Sequence, residues 1–498
     1  MKDSFFINEF KNKTILCIGD IMLDKYVYGS ISRISPEAPI QVFDYQKSTQ
    51  MLGGCGNVVA NVSSIGCKAK FLGIVGDDQN GHQIRKLLKN LNCHSHVISI
   101  KNLKTITKTR IIAGHNHILR IDQEQPFKMN NSIIPKIQKL LERAIKNVDI
   151  VIISDYAKGL LTDVTVPLIL SICKKYNKIS LIDPKGSNYS KYNGAYLIKP
   201  NLKEFKEVTR LDFNSNSQEL HKYLIKGAKI IFKQYDINNL IITMSENGMA
   251  FISSTSPNNV IHIPTQAKEV YDVSGAGDTS IAAFACALSV NNSIVSSMNF
   301  ANIAAGIAVS KIGTVAVTKE EIEYELLQKK LIENKNLQTR KIITLNQAKI
   351  ISKQLKQDGK IVGFTNGCFD LLHLGHLNSF IETKNNCDVL FVGLNSDKSI
   401  KKLKGNNRPI QDEKTRSHIL AALEYVDYII IFDDKNALSL INSIKPNVIA
   451  KEGYKIADWP EAQEVLKYGG KAITLKRLEN FSTSNTINKL KEIFNNAK

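Results

Sequence analysis

Two short strings place reactive side chains where a helix is about to begin. In DVSGAGDTSIAAFACAL, Gly275, Ala276 and Gly277 precede Asp278 and an apolar run that reads as helix. Small residues let the backbone approach a phosphate closely, and a helix N-terminus offers free N–H groups with a partial positive charge. Asp278 stands where a carboxylate can take the proton of an attacking hydroxyl while the turn steadies charge on a phosphoryl group in transfer. The plainer alternative is a Gly-rich helix start with an acid in its first turn. In TNGCFDLLHLGH a strand ends at about Thr365 and a helix opens near Gly375, so His373 and His376 fall at the helix mouth. Both imidazoles can donate hydrogen bonds to a nucleotide α-phosphate as pyrophosphate leaves, by direct displacement without a covalent intermediate. Two histidines at this spacing also ligate zinc. A structural zinc usually takes four ligands, however, and only Cys368 stands close, with His418 on a later helical segment.

Further strings, in chain order, resemble the signatures of ribokinase-type carbohydrate kinases. Gly53, Gly54 and Asn57 match the family's GG-then-Asn element, whose residues lie against the sugar, and Asp24 matches an acid that binds sugar hydroxyls. Cys55 and Gly56 depart from the alanine usual there. KPNLKEF, with Asn201, Leu202, Lys203 and Glu204, is similar to the NxxE element that organises Mg²⁺ around the triphosphate of ATP, so the resemblance implies an indirect metal role for Glu204. On its own Glu204 reads equally as a helix-surface carboxylate. GDIMLDKYVYGSISRISPEAP and SDYAKG resemble one branch of the family, the heptose 7-phosphate kinases. Within the first of these, Arg33 suits a bidentate clamp on a sugar phosphate or a salt bridge to Glu37, and both readings stand. Lys158 is a weaker candidate.

The second string is similar to the HxGH signature of the cytidylyltransferase-like superfamily. That resemblance implies nucleotide contacts from Thr365, Asn366, Gly367 and Phe369, from Asn395 and Asp397 of LNSD, and from Lys404 and Arg408 of KKLKGNNRP. Ser482, Thr483 and Ser484 match a phosphate-binding STS element, where a simple helix cap would account for one hydroxyl of the three. AKEGYK departs from the usual KGGDY, which leaves base contacts at Glu452 and Tyr454 open. Kinase first and transferase second is the order of the bifunctional heptose 7-phosphate kinase / heptose 1-phosphate adenylyltransferase family. The resemblance implies ATP and Mg²⁺ as cofactors and small sugar phosphates as partners. Rival readings are another sugar phosphate, CTP in the second step, or a sugar-phosphate-binding regulator on an inactive kinase scaffold.

Positioning these residues takes two α/β scaffolds. Apolar runs at KTILCIGD, KAKFLGIVG, VDIVIIS, KISLID, AYLIKP and NLIIT alternate with helical segments, which predicts a mostly parallel sheet covered on both faces. Residues 25–51 and 105–124 alternate in the β manner outside that rhythm and predict a small β lid, whose exposed edges favour a homodimer through it. The expected fold is a ribokinase-like domain over residues 1–325, a linker over 326–358 and a Rossmann-like HxGH nucleotidyltransferase domain over 359–498. Net charge is +20, from 66 basic and 46 acidic residues. The dense cluster Lys398, Lys401, Lys402, Lys404 and Arg408 sits beside the expected triphosphate, so no nucleic-acid partner is needed to explain it. Eight cysteines without a CxxC pair read as reduced thiols, and no run approaches about 18 apolar residues, so a cytoplasmic protein without a membrane partner is expected.

Overall fold

The computed structural model describes residues 7–476 apart from 115, 126, 214–218, 267–269, 292, 312 and 334–338. The chain divides into two compact units, Met1–Ile322 and Glu323–Lys498.

The first unit is built on a nine-stranded sheet in the spatial order Ile261–Ile263, Met249–Ser253, Ile237–Thr243, Ala195–Ile198, Ile179–Asp183, Ile150–Ser154, Thr14–Gly19, Lys68–Gly76, His94–Ile100. All neighbours pair in parallel except at the two strands Met249–Ser253 and Ile261–Ile263. The central strands are apolar at consecutive positions because both faces are covered: Ile150–Ser154 is buried at every residue. One core joins Leu16, Ile18, Val151 and Ile153 of the sheet to Ile137 and Leu141 of the helix Ile134–Ile145 and to Val166 and Ile169 of Thr165–Lys175. At their carboxyl ends these strands deliver Asp20, Asp155, Asp183 and Lys199, where parallel sheets bind ligands.

The two stretches of alternating β character form one four-stranded sheet, ordered Gln41–Gly54, Ile21–Ile34, Thr107–Ala113, Asn116–Gln123. Its second strand starts two residues beyond Gly19, so the lid grows directly out of the main sheet. The chain returns through Gly54, at φ 58°, into the helix Cys55–Ile65. A Cβ on Gly54 would lie 2.7 Å from the Asp20 carbonyl oxygen, a contact that only glycine avoids. The outer strand Asn116–Gln123 is exposed along its whole length.

The second unit holds a five-stranded parallel sheet ordered Tyr428–Phe432, Val389–Asn395, Val362–Gly367, Val448–Glu452, Lys471–Leu475. Strand order reverses at Val362–Gly367, which leaves a crevice at the carboxyl ends of that strand and Val448–Glu452. Within the expected linker, the described residues on either side of 334–338 pack with the second unit. The helix Leu345–Gln357 opens on a capping box made by Thr344 and Gln347. Leu327, Ile343, Ala348 and Ile351 are buried with Val362, Phe364 and Phe391. A narrow apolar stripe among Lys, Gln and Asn is enough to bury one face of a helix.

Candidate active sites

Gly275, at φ 82°, turns the chain into the helix Ala276–Asn291, and a Cβ there would lie 2.7 Å from Asn57 Nδ2. The turn is held from outside by Asp272, whose Oδ1 accepts from Ser274 N at 2.8 Å and whose Oδ2 accepts from Gly313 N at 3.0 Å. Asp278 is buried in the first turn. Its Oδ2 accepts a hydrogen bond from Asn57 Nδ2 at 3.0 Å and its Oδ1 accepts one from the Tyr156 hydroxyl at 2.8 Å. Burial, with the nearby Asp183 charge second, pushes its carboxyl up to about 7, against the two hydrogen bonds and Lys199. A carboxylate poised there is matched to proton abstraction at neutral pH.

Asp24, on the lid strand, accepts from Arg110 Nη1 at 2.9 Å and from Thr314 Oγ1 at 3.3 Å. A Cβ on Gly53 would lie 2.5 Å from Asp24 Oδ2, so the glycine lets the acid fit. Arg33 is exposed on the same sheet, and no ion pair joins it to Glu37 among the described residues. Lys158 Nζ pairs with Glu124. Arg110 and Arg120 stand directly opposite each other on neighbouring lid strands. Each is balanced by its own carboxylate, Arg110 by Asp24 and Arg120 by Asp122, whose Oδ1 and Oδ2 accept from Nε and Nη2 at 2.9 Å.

A cavity of about 570 Å³ extends from the Gly275–Asp278 turn over Asp183, Lys185, Lys199, Asn201 and Glu204. Asn201 and Glu204 form a reciprocal capping box on the helix Leu202–Thr209. Asn201 Oδ1 accepts from Glu204 N at 2.9 Å, and Glu204 Oε2 accepts from Asn201 N at 3.1 Å. Glu204 Oε1 accepts from Lys185 Nζ at 3.0 Å. Leu202 and Lys203 do not line the cavity. Lys199 Nζ is buried 3.2 Å from Asp183 Oδ1 and also faces the helix start, 3.7 Å from where a Gly277 Cβ would be.

In the second unit His373 caps the helix Leu374–Lys384 with extended backbone, and His376 stacks on it at 3.8 Å between ring centroids. Phe369, at φ 46°, sets its ring edge-on to His376 at 5.2 Å. A Cβ on Gly367 would lie 2.9 Å from that ring, and Thr365 is buried in the strand below. Burial first, then the charges of His373 and Lys404, pull His376 down to about 4, so the ring is neutral at pH 7. Asn366 Oδ1, His376 Nδ1 and Arg408 Nη2 are buried without a hydrogen-bond partner among the described residues, an arrangement that calls for a polar ligand. Arg408 is also committed to the protein, since its Nε donates to Asp370 Oδ2 at 2.6 Å. Asn395 Nδ2 donates to Ser399 Oγ at 3.0 Å, and Asp397 Oδ1 accepts from Arg416 Nη2 at 2.6 Å. Glu452 reaches the helix mouth, with its Oε2 3.6 Å from a notional Gly375 Cβ, while Tyr454 is exposed under Lys451 at 4.3 Å. Ser482, Thr483 and Ser484 lie outside the described residues.

Sequence reasoning missed Tyr156, Arg110, Asp183, Lys199 and Arg416. Asp183 and Lys199 carried a signal, because each ends a buried run at the carboxyl edge of the sheet. Arg416 carried none. It is buried and donates to the carbonyls of Gln411, Cys368 and Asn395, tying the HxGH loop to the neighbouring strand end.

Residues 12–321 match the pfkB family of carbohydrate kinases, and residues 364–489 match the cytidylyltransferase-like family. The first unit shares its fold with phosphofructokinase-2 from Escherichia coli (TM-score 0.52, 17% identity, 62% of this chain and 97% of that one). It also shares it with ribokinase from Giardia lamblia (TM-score 0.50, 18% identity, 62% and 99%). Fold and sequence thus define a sugar kinase joined to a nucleotidyltransferase. Relatives called bifunctional protein HldE match nearly end to end. That of Sulfurimonas denitrificans is 41% identical over 96% of this chain and 97% of its own, and that of Campylobacter fetus is 40% identical over 96% and 99%. The chain belongs to the family of bifunctional HldE proteins.

Proposed function

We propose that the chain carries out two steps of ADP-heptose synthesis: it phosphorylates D-glycero-β-D-manno-heptose 7-phosphate at C1 with ATP, then joins the 1-phosphate to AMP from a second ATP. A phosphatase acts between them. The observation that carries this reading is that each unit holds its own constellation, Asp278 on the glycine turn at a helix start in one and the stacked His373 and His376 in the other. The kinase activity is assigned to the first unit and the transferase activity to the second, which takes in the helix Leu345–Gln357.

In the kinase step Asp278 takes the proton of the anomeric hydroxyl as that oxygen bonds to the γ-phosphorus and the bond to ADP breaks. Gly275, Ala276 and Gly277 present helix-start N–H groups to the equatorial oxygens. Asp24, Gly53, Gly54 and Asn57 hold the sugar. Arg33, exposed on the lid, suits the 7-phosphate, because a guanidinium matches phosphate bidentately. Mg²⁺ fits the cavity: it needs only one or two carboxylates besides the nucleotide phosphates and water, and Glu204 and Asp183 both line the wall. When bound there it would neutralise phosphate charge.

In the transferase step an oxygen of the 1-phosphate attacks the α-phosphorus and pyrophosphate leaves. His376, neutral, donates to the α-phosphate oxygens beside His373, and Lys404 and Arg408 balance the triphosphate. Thr365, Asn366, Gly367, Phe369, Asn395 and Asp397 shape the pocket. The product serves lipopolysaccharide core synthesis in the cytoplasm, and the protein works as a homodimer through the lid sheet. Among the described residues no helix is long and apolar enough to cross a membrane. Exposed Ile118, Leu119, Ile121 and Tyr45 on the lid support the dimer.

Mass spectrometry of products from heptose 7-phosphate, ATP and Mg²⁺ tests the whole reading. Heptose 1,7-bisphosphate should accumulate alone, and ADP-heptose should appear only when the phosphatase is added. A nucleotide sugar formed with CTP but not ATP would overturn the second half.

A further inference from the structure

The loop after the strand Ile150–Ser154 is anchored far more heavily than a connection needs. Buried Asp20 accepts backbone N–H groups from Tyr156 at 3.2 Å, Lys158 at 3.0 Å and Leu160 at 3.3 Å. Asp155 Oδ1 accepts from Ala157 N at 2.7 Å, and its Oδ2 takes Lys191 Nζ at 2.5 Å and the Tyr192 hydroxyl at 2.7 Å. Between these anchors Ala157 is held at φ 55°, a left-handed conformation costly for a residue with a Cβ. Gly159, at φ 109°, passes so close to Phe127 that a Cβ would lie 2.1 Å from its carbonyl oxygen. Two buried carboxylates and a strained turn fix one product, the position of the Tyr156 ring.

That ring ends 2.8 Å from Asp278 Oδ1, while Asn57 holds Oδ2. One donor on each oxygen fixes the carboxylate plane, so the remaining lone pairs have a single direction in which to meet a hydroxyl. We propose that Tyr156 is a positioning residue of the kinase step, whose hydroxyl orients the base Asp278, and that the loop around it exists to deliver that hydroxyl. The proposal rests on the reading of Asp278 as the base. Tyr156 is not itself the proton acceptor: burial, then the Asp278 and Asp183 charges, push its phenol far above its ordinary range, so it stays a donor. The other groups facing Asp278 are Asp183, which raises its proton affinity, Lys199, which lowers it, and the Cys55 thiol, which burial keeps protonated.

The test is the kinase kcat/KM of the full chain against pH, with Tyr156→Phe and with a fluorinated tyrosine at 156. Removing the donor favours protonated Asp278, so the acid limb in Tyr156→Phe should move to higher pH. For a limb displaced by about one unit, activity should be roughly fivefold down at pH 7, approach tenfold down at lower pH, and recover in base. Its KM for ATP and its transferase rate should not change. Fluorotyrosine keeps the packing and strengthens the donor, so its limb should move the other way. A uniform loss with both limbs in place would mean that Tyr156 only packs, and unchanged kinetics in both variants would also overturn the proposal. Asp278→Asn separates the two levels. If that variant keeps kinase activity, the base assignment itself is wrong; if it is dead and the limbs at position 156 do not move, only the Tyr156 role falls.

Discussion

Burial beside other charges moves Asp278 and His376 in opposite directions, one up to about 7 and the other down to about 4, because desolvation disfavours the anion of the first and the cation of the second. The two activities of one chain should therefore answer pH differently. Kinase kcat/KM should fall as pH drops below about 7, where Asp278 takes up its proton, while the transferase shows no limb from His376 between about pH 5 and 8. Profiles of both reactions on one preparation check this, and parallel profiles would contradict it. Lys404 and Arg408 also part company. Lys404→Ala should slow the transferase or raise its KM for ATP by roughly tenfold, the loss of one charge-assisted contact. Arg408→Ala should do the same and also destabilise the second unit by about 3 kcal/mol, because it leaves buried Asp370 without its cation. Chemical denaturation separates these effects. Residues whose chemistry depends on near neighbours in the chain were legible beforehand, as with Asp278 after its glycines and His376 after His373. Tyr156, Arg110 and Arg416 were not, since each meets its partner across 122, 86 or 19 positions and only the fold shows the meeting.

At the scale of elements, the Asn201 and Glu204 spacing has two explanations that coexist: a capping box holds the helix Leu202–Thr209, and the same carboxylate faces the cavity. Substitution separates them. Asn201→Ala should cost about 1 kcal/mol of stability as a lost cap. Glu204→Gln keeps the box, since glutamine serves at that position, yet removes the charge. It should stay folded while the kinase loses rate and needs more Mg²⁺; equal rate and Mg²⁺ dependence would leave Glu204 a purely structural residue. The main-sheet strands and the lid were legible because buried parallel strands are apolar without interruption, whereas lid strands alternate. The strand His94–Ile100 was missed, being at the sheet edge and mostly polar. The helix Leu345–Gln357 reads as linker by charge because its apolar stripe is thin, and its one local signal is the Thr344 and Gln347 capping box.

Across the whole molecule the central claim is that each compact unit carries a complete site, so that one reaction can be lost without the other. Asp278→Asn keeps the outline of the side chain and removes the base, which should cost the kinase about 10²–10⁴-fold. His376→Ala removes a donor to the α-phosphate and touches nothing in the first unit. The decisive measurement is ADP-heptose formation from heptose 7-phosphate, ATP and the phosphatase, by each folded variant alone and by the two mixed. Neither variant alone should make ADP-heptose, the Asp278→Asn protein should still convert heptose 1-phosphate, and the mixture should restore synthesis. Loss of both partial reactions in either folded variant, or a mixture that stays inactive, would contradict the account.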